Sequence, residues 1–178
     1  MERKGAVTFK GKPLTLLGTE VKVGDRAPDF KVLDKALNVV GLKDFAGKTK
    51  LVSVTPSLDT PVCDQQARRF NETAANLPED IVVLNVSMDL PFAIGRFCTM
   101  AGIEKVRTLS DHRDASFGMA YGVLIKELRL LARSIFVIGK DDRIKYVELV
   151  GEVTAQVDFE KALDQEGTGP GASSSTKV

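Results

Sequence analysis

Two cysteines are the only thiols in a chain of 178 residues. The first closes the run Pro56-Ser57-Leu58-Asp59-Thr60-Pro61-Val62-Cys63, which follows a short apolar segment of strand type, residues 50–55. Thr60 suits a helix N-cap. Pro61 suits the first helical position, where its missing N–H has no partner to lose. Counting on from there places Cys63 in the first helical turn. Free N–H groups and the positive end of the helix dipole favour an anion at that point. A thiolate, not a thiol, is the sulfur nucleophile, and an ordinary cysteine carries only a few per cent of it at pH 7. A run that favours the anion therefore points to nucleophilic thiol chemistry. The plain alternative, a small buried hydrophobe, fits the Pro/Thr setting less well.

Other residues have chemistry to offer. Arg133 stands between Leu130-Leu131-Ala132 and Ser134-Ile135-Phe136, where an apolar strand begins. A guanidinium there needs an anionic partner or a route to water, and spacing alone favours a strand-edge arginine facing solvent. Cys98 sits on an amphipathic segment with Leu90, Ala93, Ile94, Phe97 and Ala101. Gly95, inside that segment, weakens a helix by about 1 kcal/mol relative to alanine. His112 beside Asp111 invites a Cys–His dyad or a metal site, but a surface loop residue is the better reading. Asp141-Asp142 reads as turn chemistry between strands.

Pro-x-x-x-Thr-x-x-Cys resembles the peroxidatic signature of the peroxiredoxins, and the longer run ending at Cys63 is similar to the bacterial thiol peroxidase branch, the atypical two-cysteine kind. Ala27-Pro-Asp-Phe30, Asp89-Leu-Pro-Phe-Ala93, Arg96-Phe-Cys98, Thr108-Leu-Ser110, Ala120-Tyr-Gly-Val123 and Leu131-Ala-Arg-Ser134 agree with it in order. The resemblance implies that Cys63 attacks a hydroperoxide and becomes a sulfenic acid. It further implies that Thr60 and Arg133 stabilise the transition state and that Pro56 shields the sulfur. Cys98 becomes the resolving cysteine of an intramolecular disulfide with Cys63, recycled by thioredoxin. A homodimer is the family habit, and neither a cofactor nor a metal is expected.

The elements that must position these residues can be read from periodicity. Residues 7–16 form a hairpin around Lys10-Gly-Lys-Pro13; residues 50–55 and 81–87 are buried strands. Helices are expected from Pro61 to Leu77 and through Cys98. A hairpin spans Ser134–Ile138 and Ile144–Leu149, and a closing helix lies near Asp158–Leu163. Strand, helix, strand, helix and a hairpin give an α/β sandwich with a central mixed sheet flanked by helices. The order matches the thioredoxin-like fold of the resembled family.

At this length, and 43% apolar, residues 1–166 are expected to form one domain with its own core. The Gly/Ser-rich stretch 167–178 is expected to be a disordered tail. Lys plus Arg number 25 and Asp plus Glu 24, so nothing electrostatic argues for nucleic acid or an anionic membrane. No apolar run approaches a membrane span, and the N-terminus lacks the apolar core of a signal peptide. A soluble cytoplasmic protein is the default. In that reducing compartment two cysteines serve redox chemistry more often than structure, and they are too few for a structural zinc site. Two rivals remain. A disulfide oxidoreductase is disfavoured because the cysteines are not in Cys-x-x-Cys spacing. A peroxide sensor using the same disulfide is separated from an enzyme only by turnover.

Overall fold

In the computed structural model, which describes residues 1–165, the chain opens with β1 (Glu2–Phe9) and β2 (Lys12–Leu17), followed by the short strands β3 (Val32–Leu33) and β4 (Val39–Val40). β5 (Thr49–Val54), α1 (Pro61–Ala74), β6 (Ile81–Ser87), α2 (Pro91–Ala101) and β7 (Arg107–Ser110) alternate next. α3 (Ser116–Ala120), β8 (Leu124–Ile125), β9 (Ser134–Ile138), β10 (Ile144–Leu149) and α4 (Phe159–Asp164) complete it. The expected disordered tail, 167–178, lies outside the described residues.

β5 is buried at every position and is an interior strand, third in a seven-stranded sheet ordered β10-β9-β5-β6-β7-β3-β4. β5, β6 and β7 run parallel, whereas β9 is antiparallel to β5, so the sheet is mixed as expected. A second, three-stranded sheet joins β1, β2 and β8. Alternation along the strands divides the core into two layers. Leu51, Val83, Ile135 and Val137 face Ala67 and Phe70 of α1, Ile94 and Cys98 of α2, and Phe159 and Ala162 of α4. Val52, Val54, Leu84, Val86 and Phe136 face the other way, towards Leu16, Phe30, Phe117 and Tyr121. Each fully buried side chain of this size contributes about 1.5–3 kcal/mol.

Tyr121 stacks on Phe117 at a centroid separation of 4.3 Å and donates its hydroxyl to Pro28 O at 2.8 Å, which makes it a core residue. His112 is a loop residue whose Nδ1 meets the Ser110 hydroxyl at 3.0 Å. Asp142 lies in the β9–β10 turn at φ 57°, and its carboxylate also receives the fully buried Lys50 Nζ at 2.5 Å. The strands β3, β4, β7 and β8 and the helix α3 are too short to show a sequence period.

Candidate active site

Two β-α-β crossovers put the N-termini of α1 and α2 at the edge of the sheet where β5 and β6 end. The antiparallel β9 brings its first residue to the same edge, since Ser134 pairs with Val54. Arg133 therefore stands beside the segment that leads from β5 to Cys63. The sheet topology, not sequence proximity, makes this meeting.

Thr60 is extended at φ −110°, ψ 146° and caps α1, with Pro61 at the first helical position. Its hydroxyl oxygen accepts from the Cys63 N–H at 3.3 Å, and its proton goes to Ser57 O at 3.2 Å. Cys63 is fully buried, and Pro56 is buried two residues beyond the end of β5. Arg133 Nη2 donates to Cys63 Sγ at 3.0 Å. Nη1 donates to Gln66 Oε1 at 2.7 Å and Nε to Val153 O at 3.1 Å. Arg133 is only 2% exposed, against the solvent-facing strand edge that spacing alone favours.

The guanidinium is thus buried, and among the described residues it has no carboxylate partner. A buried cation left to neutral acceptors is costly, and the sulfur of Cys63 is the one group in its reach that can supply a negative charge. The guanidinium and the N-terminal turn of α1 both present positive potential to the sulfur. A thiolate held by a five-donor fork at a helix N-terminus can attack an electrophilic oxygen and keep the developing charge solvated.

Support for this cluster comes from polar residues that no sequence motif marks. Gln66 Nε2 donates to Ser53 Oγ at 2.7 Å, and Asn85 Nδ2 reaches the same oxygen at 3.4 Å. Gln66 lies three positions after Cys63, on the buried face of α1. Ser53 and Asn85 occupy strand positions with the parity of Leu51 and Val83, so polar residues where the alternation demands apolar ones were the available signal. Val153 O is presented by a loop that Glu152 fastens to the β1–β2 turn. The Glu152 carboxylate accepts from Thr8 Oγ1 at 2.6 Å and Lys10 N at 2.9 Å, bonds that hold its pKa down to about 2.

Cys98 lies elsewhere. It is a free thiol, as is Cys63, and its Sγ meets Thr108 Oγ1 on β7 at 3.1 Å among Ile94, Ile103 and Val106. Arg133 leads into β9, and β9 and β7 are three strand spacings apart, roughly 14 Å. The two thiols have separate partners, so joining them in a disulfide breaks the Cys63–Arg133 and Cys98–Thr108 contacts. A cavity of about 280 Å³ opens beside Cys98, lined also by Asp34, Lys35 and Arg107. No cluster of metal-binding side chains occurs among the described residues, nor any helix long and apolar enough to cross a membrane.

A buried free thiol at a helix N-terminus on a thioredoxin-like sheet, with a buried arginine against its sulfur, is the arrangement of a thiol-dependent oxidoreductase. Comparison with known proteins narrows it. The Redoxin family profile matches residues 22–165, and the chain belongs to that family. It is 60% identical to the thiol peroxidase of Halalkalibacterium halodurans over 159 residues, 89% of this chain and 95% of that protein. It is 56% identical to that of Bacillus subtilis over 158 residues, covering 89% and 94%. Among solved structures, the peroxiredoxin-like protein of Aquifex aeolicus superposes with a TM-score of 0.85 at 38% identity, covering 93% and 99% of the two chains. The chain is accordingly an enzyme, a peroxidase of the thiol-dependent kind.

Proposed function

We propose that this peroxidase reduces hydrogen peroxide or organic hydroperoxides through Cys63 and resolves the product through Cys98. The observation that carries the reading is the 3.0 Å contact between Arg133 Nη2 and Cys63 Sγ inside a site that excludes water. The Cys63 thiolate attacks one peroxide oxygen and the O–O bond breaks. The other oxygen leaves as water or an alcohol after taking a proton, and Cys63 becomes a sulfenic acid. Arg133 holds the thiolate, and a guanidinium has two N–H groups beyond the three bonds described, enough to address the peroxide oxygens. Thr60 keeps Cys63 in the first turn of α1, and its hydroxyl orients the peroxide. Pro56 keeps bulk water from the sulfur.

The Cys98 thiol then attacks the sulfenic sulfur, water departs, and a Cys63–Cys98 disulfide forms. A dithiol reductant, thioredoxin in the resembled family, returns both thiols by exchange. We place the enzyme in the cytoplasm, and as a homodimer by the habit of the resembled family.

The test is consumption of hydrogen peroxide by the purified protein with thioredoxin, thioredoxin reductase and NADPH. Sustained NADPH oxidation by the wild type, lost in Cys63→Ser, is expected. Cys98→Ser is expected to reduce one peroxide per Cys63 and then to stall. A wild type that stops after one equivalent would overturn the thioredoxin-recycled cycle.

A further inference from the structure

We propose that Asp89 is a positioning residue that holds the Cys63 loop in its reactive form and ties that loop to the helix carrying Cys98. The second half of this role rests on the resolving function proposed for Cys98.

Asp89 immediately precedes Leu90, the N-cap of α2, whose own side chain cannot cap the helix. The N-cap of α2 has no side-chain hydrogen bond. The Asp89 carboxylate turns to the segment before Cys63. Oδ1 accepts from Ser57 Oγ at 2.7 Å, and Oδ2 accepts from Leu58 N at 2.8 Å and from Ser87 Oγ at 2.8 Å. Asp89 is itself fixed, because its N–H donates to Ser87 Oγ and its carbonyl accepts from the Ser110 hydroxyl on β7.

From the carboxylate an unbroken chain of contacts runs to the nucleophile. Ser57 Oγ, held by Asp89, accepts from Asp59 N at 3.1 Å and closes the turn. Ser57 O accepts from Thr60 Oγ1, which in turn accepts from Cys63 N. Asp89 therefore sets where Thr60 and the first turn of α1 stand. It also bridges the segments that lead into the helices of Cys63 and Cys98, whose sulfurs meet different partners, Arg133 and Thr108. The same bonds favour peroxide attack and oppose disulfide closure.

The experiment follows both steps in the full-length reduced protein. Hydrogen peroxide is added in a quenched-flow instrument, sulfenic acid is trapped with dimedone, and adducts and disulfide are counted by mass spectrometry against time. Asp89→Ala is expected to slow Cys63 oxidation about tenfold, because the loop that places Thr60 and the first turn of α1 loses its anchor, while disulfide closure speeds up. Asp89→Asn keeps a carbonyl acceptor for Leu58 N–H and is expected to restore most of the wild-type oxidation rate, a rescue that a general loss of stability does not produce. If Asp89→Ala does not fold, Ser57→Ala removes the Ser57–Asp89 bond, with the Asp59 N–H bond to the same oxygen, and is expected to change both rates in the same directions. Oxidation at the wild-type rate in a folded variant overturns the positioning role. Slower oxidation with closure unchanged or slowed overturns the tie to α2. A wild type that forms no Cys63–Cys98 disulfide refutes the resolving function instead, and the oxidation rates still decide whether Asp89 positions the loop.

Discussion

If the Cys63 thiolate is the counter-ion of a buried Arg133, the two residues must be coupled in stability as well as in rate. At 3.0 Å, with an effective dielectric constant of about 20, their attraction is roughly 5 kcal/mol. Desolvation of both groups offsets a large part of that, which leaves an expected coupling of about 2 kcal/mol. The perturbations are Cys63→Ser, which keeps the size but removes the charge, Arg133→Met, which keeps the stem but removes the cation, and the double variant. Cys63→Ser strands a buried guanidinium among neutral acceptors. Arg133→Met strands Gln66 Oε1, but it does so in either background, so that cost cancels in the cycle. Urea unfolding of all four reduced proteins at pH 7 measures the coupling. A value under about 0.5 kcal/mol would refute a thiolate–guanidinium pair. In the same set, Arg133→Met is expected to slow peroxide reduction about 100- to 1,000-fold, as loss of a preorganised donor does.

Three further outcomes are expected. Gly95→Ala should stabilise α2 by about 1 kcal/mol, because the added Cβ meets nothing nearer than Lys35 Cβ at 3.8 Å, and should slow disulfide closure in a dimedone-competition assay. Thr60→Val should cost about 1 kcal/mol in thermal unfolding by removing the cap of α1, and Thr60→Ser should recover both stability and peroxide reduction. Asp111, whose carboxylate receives Phe117 N–H and Gly118 N–H at 2.9 and 2.8 Å, is pushed by burial from 3.8 to about 6. Its folded form thus binds a proton more tightly than its unfolded form. The stability it contributes is full below about pH 4 and is lost as pH rises through 6, with a ceiling of about 3 kcal/mol. Asp111→Asn should flatten that part of the pH dependence of the melting temperature.

The parts of the fold legible in the sequence are those whose residues decide their own conformation. Thr60 and Pro61 begin a helix because of their own hydroxyl and ring, and the β-rich runs at 50–55 and 81–87 become the central parallel strands. Arg133 was ambiguous because its neighbours in space are not its neighbours in sequence. Strand register puts it beside Cys63, and only its likeness to a family motif pointed that way. Gln66, Ser53 and Asn85 were passed over because a polar residue on an apolar face reads as noise until its partners are known. Asp89 was visible only as part of a motif, since its hydrogen bonds run to a loop about 30 residues earlier in the chain.

The central claim is that Cys63 is the peroxide-reactive thiolate. It is tested most directly by treating reduced Cys98→Ser protein with one equivalent of hydrogen peroxide in the presence of dimedone and mapping the adduct by mass spectrometry. A single dimedone adduct on Cys63, abolished when Cys63 is also replaced by serine, is the expected result. An unmodified Cys63 after the peroxide is consumed would contradict the account.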